Sequence, residues 1–296
     1  MNVSGINFAP QKSYLKPNKS KENTQAHFFT KPANYPNATL LKTYRIGKIT
    51  PGFGSQQFRG KNIDRIIALQ DDYEQLQIGN ITDREYESRT DFKGIDLSGA
   101  DLSNNIMLYK CNLEGANLEG AKLWCEALHD TNLTGANLKA ADLNAIAVEG
   151  TTNFEEADLS GAQMENAVIM GINCRKANFT NAILKNAELR GSDFFGANFE
   201  AADMREADLE GACLKKARIV RNLQNPEKST NLNSAFFVSG CNNETKNTKF
   251  PECYVEIDKN GDETKKEFND KVATDIFNMQ KWTYPNETND NEDIPF

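Results

Sequence analysis

The chain holds only two histidines, His27 and His129, so acid–base or metal chemistry would have to rest largely on carboxylates and thiols. His27 falls in a polar N-terminal stretch, and His129 has no nucleophile beside it in sequence. The six cysteines show neither zinc spacing nor the density of a disulfide framework. Cys111 and Cys174 read as small buried hydrophobes. Cys241 and Cys253 flank a polar loop, and whether they pair depends on the redox compartment. Asp258, Asn260 and Asp262 are spaced like the first ligands of a calcium loop. However, Glu263 stands where that loop needs Gly, and Asn269 where it needs a bidentate Glu. A hairpin turn is the better reading. There is no Gly-rich phosphate loop and no H-E-x-x-H. Asp and Glu recur all along the chain, so no carboxylate pair is diagnostic. These residues predict no catalytic, cofactor-binding or metal site, and hence a non-enzyme.

The scaffold that positions these side chains has a five-residue period. From Thr90 to Arg221 a Leu or Phe recurs with a small residue two places before it, as in Ala116-Asn117-Leu118, Ala136-Asn137-Leu138, Ala157-Asp158-Leu159 and Ala197-Asn198-Phe199. About 26 such units follow one another. One extra residue falls between Leu102 and Leu108 and another between Val148 and Phe154, as tolerated bulges at corners. The pattern A-[D/N]-[L/F]-x-x resembles the pentapeptide repeat family over about 130 residues. The resemblance implies an all-β solenoid: a right-handed quadrilateral β-helix with one pentad per side and four per coil.

Elementary physics fits that geometry. The central residue and the one two before it would share a narrow lumen at close-packed density, which demands a small partner, and Glu126 is the serious exception. Gly two places after the centre suits a turn with positive φ, and the outward Asp and Asn suit corners where they bond local backbone. Coils stacked about 4.8 Å apart, roughly 6.5 of them, would make a rod about 30 Å long.

Sorting pentads by fours exposes an asymmetry. One face stacks Asp91, Lys93, Asn112, Glu114, Asn132 and Thr134. The face of Leu108, Leu128, Val148 and Ile169 instead presents Met107, Tyr109, Ala127, His129, Ala147, Glu149, Val168 and Met170, with Trp124 and Ile183 on the adjoining face. Met107, Tyr109, Trp124, His129, Val168, Met170 and Ile183 thus form a candidate apolar stripe. Such a stripe marks something that covers it, either the chain's own flank or a protein partner, including a second copy in a homodimer.

The flanks divide the chain into four expected parts. Residues 1–60 carry nine basic residues against Glu22 alone and few large apolar groups, which predicts a disordered basic arm. In 61–89, Ile63, Ile66, Ile67, Tyr73 and Leu76 recur at helical spacing, an amphipathic cap for the open end of the solenoid. The β-helix spans 90–221. A C-terminal extension, 222–296, should hold a short strand at 235–238, a hairpin formed by Tyr254–Asp258 and the Asn260-Gly261 turn, a helix near 264–280 and an acidic tail. No signal peptide and no apolar run of membrane-spanning length is evident, so a cytoplasmic protein is expected.

Function follows from faces rather than a pocket. The first expectation is a non-catalytic protein–protein interaction scaffold. The family resemblance implies an alternative: some members mimic duplex DNA with an acidic rod and bind DNA gyrase or a related topoisomerase. Duplex DNA carries roughly 18 charges over 30 Å. The repeat region carries 20 acids against 13 bases, and Arg175, Lys176, Lys215 and Lys216 interrupt its acidity. The basic arm also opposes mimicry, and direct nucleic-acid binding is not expected. An activity confined to the C-terminal extension is a second alternative.

Overall fold

Residues 62–103, 106–123, 128–148, 150–238 and 247–282 are described by the structure, a computed structural model. The basic arm, the stretch from Thr283, His27, Trp124, Glu126 and Cys241 lie outside these residues.

Successive windings pair in parallel along four tracks. The first joins Asp91, Asn112, Asn132, Asn153, Asn173, Asp193, Cys213 and Lys249 in turn. The second runs from Asp96 to Arg218 and the third from Asp101 to Asn231, each through one residue per winding. The fourth runs through Ala147, Val168, Glu188, Asp208, Phe236 and Gln280. On two tracks consecutive rungs form short strands: β1 (Asp101–Leu102) on β2 (Lys122–Leu123), and β3 (Ala147–Val148) on β4 (Val168–Ile169). Steps such as Asp91 to Asn112 and Asn132 to Asn153 are one residue longer than Asn112 to Asn132. The longer steps are those that span the two inserted residues, so neither insertion shifts the faces.

Each rung residue turns both backbone polar groups toward the preceding winding. Asn112 N–H donates to Thr90 O at 2.9 Å, and its carbonyl accepts from Phe92 N–H at 2.8 Å. Its side chain works along the same ladder, with Asn132 Nδ2 donating to Asn112 Oδ1 at 3.2 Å while that oxygen also accepts from Glu114 N–H at 3.3 Å. Among the described residues, the one two places after each centre from Phe92 to Leu214 takes positive φ whatever its identity, 63° at Gly115 but also 51° at Ala140 and 57° at Ala201. Ala there carries a steric penalty that Gly avoids.

The interior is closed by side chains. Leu97, Leu118, Leu138, Leu159 and Phe179 on the second track are all 0% exposed, as are Ala116, Ala136 and Ala157 two places before three of them. Farther on, Phe179, Phe194 and Phe199 fill the lumen with ring centroids 5.1–5.8 Å apart. Some inward small positions hold Ser or Thr, and there the hydroxyl completes the backbone pairing. Ser192 Oγ donates to Ile169 O at 2.7 Å and accepts from Ile172 N–H at 3.1 Å. Thr131 plays the donor part toward Leu108 O, and Thr230 and Thr248 do both near the other end.

Helix α1 (Ile63–Gln77) lies across the first winding. It buries Ile63, Ile66, Leu69 and Gln70 and ends in a Schellman turn, with Asn80 N–H on Gln75 O and Gly79 N–H on Leu76 O. Gln70 stands in for a missing winding: its Oε1 accepts from Met107 N–H at 2.8 Å and its Nε2 donates to Met107 O at 2.9 Å. Asn62 Nδ2 likewise donates to Asp96 O at 2.9 Å. The short helix α2 (Asp83–Glu87) starts with a Thr82–Glu85 capping box and buries Tyr86.

The ladders continue past Arg221, where the five-residue period ends. Strand β5 (Val220–Asn222) pairs with β7 (Cys253–Ile257), which turns back into antiparallel β8 (Glu263–Glu267). Strand β6 (Phe236–Val238) pairs with β9 (Gln280–Trp282). The long loops between these strands replace five-residue corners while the rungs stay in register. A helix over 264–280 does not form. Residues 263–267 pair with β7 instead, and α3 (Asp270–Asp275) begins only where Asn269 Oδ1 caps Val272 N–H. Phe250, Tyr254, Phe268 and Phe277 pack together against Phe237 over the last winding. No helix among the described residues is long and apolar enough to cross a membrane.

Candidate functional site

The fourth track carries most of the stripe residues, and they meet two different environments. Met107 is half-buried where Gln70 holds its backbone. Tyr109 is packed under the helices, its ring 5.5 Å from that of Tyr73 and 5.9 Å from that of Tyr86. Tyr86 is fully buried, its hydroxyl donates to Tyr109 O at 3.2 Å, and burial pushes its phenol well above the usual tyrosine range. Lys110 ties the assembly to α2 through Glu87 at 2.8 Å and Asp83 at 3.2 Å, and these bonds raise its ammonium pKa despite some desolvation.

His129 sits at the border. Its ring lies 5.3 Å from Tyr109, its carbonyl accepts from Lys110 N–H, and its Nδ1 lies 3.1 Å from Asp130 Oδ2. Asp130 itself turns to backbone work, accepting from Thr151 N–H at 2.7 Å. The next residues along the track, Ala147 and Val168, are half-buried, and Met170 stands 46% exposed. Ile183, half-buried, is on the third track between Gln163 and Asp203. The face ends where Arg190 pairs with Asp208 at 2.8 Å.

The remaining candidate groups do structural work. Asp258 Oδ1 accepts the backbone N–H of Asn260 at 2.7 Å and of Asp262 at 3.0 Å, and those bonds hold its carboxyl below the usual range. Cys111 and Cys174 are buried, and desolvation pushes both thiols up. Cys253 is a free, half-buried thiol in β7.

Two groups of residues escape the sorting of outward positions. One is the covering set, Gln70, Tyr73 and Tyr86, of which only Tyr73 stands out by helical spacing. The other is Lys216, whose Nζ lies 5.1 Å from the centroid of the Phe195 ring on the first track, with Arg175 Cζ 4.5 Å from the same centroid. Lys216 occupies the turn position two places after a centre, which a sort of only the two residues flanking each centre leaves out.

Comparison with known proteins agrees with the repeat. The family model for pentapeptide repeats matches in 8 copies over residues 111–145, 152–186, 172–211 and 182–219, and breaks at the second inserted residue. No curated protein matches the chain. Among solved structures, full-length QnrB1, a plasmid-mediated fluoroquinolone resistance protein, is 19% identical, with 54% of this chain and 78% of that one covered and a TM-score of 0.38. HetL, involved in heterocyst differentiation regulation in the cyanobacterium Nostoc sp. strain PCC 7120, is 21% identical, covering 61% and 97% with a TM-score of 0.27. Rfr23 from the cyanobacterium Cyanothece 51142 is 26% identical, covering 38% and 78% with a TM-score of 0.23. Residues 111–145 and 152–219 are thus pentapeptide repeats by the family model.

Proposed function

We propose that this chain is a non-catalytic interaction scaffold that acts in the cytoplasm and offers the open half of its fourth track to a protein partner, a second copy included. The observation that carries this reading is the unequal cover of one apolar face: Tyr109 is packed under α1 and α2, whereas Met170 is 46% exposed beside Val168. A lumen filled by Leu, Phe and Ala supports the non-catalytic part, because a solid interior gives a substrate no place to enter. The finer architecture belongs to the same proposal. It is a right-handed quadrilateral β-helix over 90–221, capped by 61–89, extended by 222–296 and preceded by a basic arm at 1–60. Rungs on four tracks support four sides, and Gln70 supports the cap.

Charge distribution weighs against the DNA-mimic alternative. Many carboxylates on the windings are already matched by cations, Glu114 by Lys93, Asp158 by Lys139 and Asp193 by Arg175 among them. A gyrase supercoiling assay separates the two readings: inhibition by micromolar protein would establish mimicry, and no effect removes it. For the scaffold, Met170→Asp with Val168→Asp is compared with wild type by sizing and thermal melting. Loss of an oligomer or of a captured partner with an intact melt is the expected result. A large fall in melting temperature would mean that the face is covered by the chain itself.

A further inference from the structure

At the far end of the first track the surface changes sign. Cations elsewhere on the windings mostly face a carboxylate, as Lys93, Lys139, Lys185, Arg190 and Arg205 do. Lys215, Lys216 and Lys249 differ. They sit on the last two windings of that track, all three are exposed, and among the described residues no carboxylate lies within ion-pair distance of them. Lys216 reaches the Phe195 ring instead, as does Arg175 of an earlier winding. In a chain of net charge -8, three unmatched ammonium groups within a few rungs, each about 4.8 Å from the next, form a local positive field.

The surroundings limit what such a field can hold. Glu155 and Glu156 close the patch on the N-terminal side of Arg175 and Lys176, and the exposed Glu252 flanks it beyond Lys249. A long polyanion would run into these carboxylates at either end. Cations from two different windings lie over the Phe195 ring, 4.5 and 5.1 Å from its centroid, and compete with a stacking base for it. A short run of carboxylates meets neither obstacle, and the ring edge adds an apolar contact beside the ammonium groups. We propose that Phe195, Lys215, Lys216 and Lys249 form a docking surface for a short acidic peptide segment of a partner protein, on a face separate from the apolar one.

The test uses the full chain and a fluorescein-labelled octaglutamate peptide followed by anisotropy at low salt. Wild type should bind the peptide and lose it as salt rises. Lys215→Glu with Lys216→Glu should weaken binding at least about ten-fold with an unchanged melt, since both residues are exposed. Phe195→Leu, which frees Lys216, should weaken it severalfold. Four results would each overturn the proposal. They are no binding to wild type, equal binding to the charge-reversed variant, an oligo-dT strand binding in place of the peptide, and peptide binding only after residues 283–296 are deleted. The last would mean that the chain's own acidic stretch occupies the surface.

Discussion

The two halves of the fourth track start from the same kind of sequence and end differently. Near Met107 and Tyr109 the outward side chains are roofed by α1 and α2, with an aromatic cluster inside and Lys110 fastening the rim. Near Val168 and Met170 the same track faces outward without that roof, and Met170 is among the most exposed large apolar residues described. Outward apolar residues on a repeat therefore do not have one meaning. A flanking helix turns them into core, and without one they remain surface.

The strongest way to break this contrast is Tyr86→Ala, which empties the centre of the roof. It should cost about 3–5 kcal/mol in denaturant unfolding. A loss under about 1 kcal/mol would mean the helices are not coupled to the coil. Next, Gln70→Leu keeps the helix but leaves Met107 N–H and C=O without partners, at about 1–3 kcal/mol. Proton exchange at Met107 should then quicken while Leu138 stays protected. On the open half the expectation reverses: Met170→Asp should move stability by no more than about 0.5 kcal/mol. A larger drop would erase the distinction between the halves.

The smallest effect is alkaline. Bonds to Glu87 and Asp83 raise the Lys110 pKa, so its contribution is complete below the unfolded value of about 10.4 and is lost as pH rises through the higher folded one. Lys110→Gln should lower stability by at most about 1 kcal/mol at neutral pH, and the gap from wild type should close in strongly alkaline buffer. A gap that persists there would remove charge as its cause.

The four-track register is legible in the sequence because Leu or Phe every five residues fixes which side chains share a face, and the two inserted residues show as shifts of that period. The roof is only half legible. Helix α1 has enough apolar positions to show its spacing, whereas α2 is one turn long and leaves only the Thr82–Glu85 capping signature as a clue. Strand β8 is hidden for another reason. Its residues, Glu263 to Glu267, are all exposed, so no alternation marks it, and the helical spacing of Phe268, Val272 and Ile276 draws the eye instead. The path of the windings past Arg221 is equally obscure, because loops of unequal length separate rungs that remain in step.

The ladder spacing also sets what kinds of length change the fold can absorb. A segment from one rung to the next on a track, such as residues 153–172, is a complete turn of the chain. Excising it would join Thr152 to Asn173 and leave every downstream side chain on its original face, giving a shorter ruler with the same markings. Removing a single pentad would instead rotate everything beyond the cut onto the neighbouring face, carrying the apolar residues around Met170 and the cations around Phe195 to new bearings. Distance along the axis and direction around it are thus set by separate quantities, the number of whole turns and the remainder.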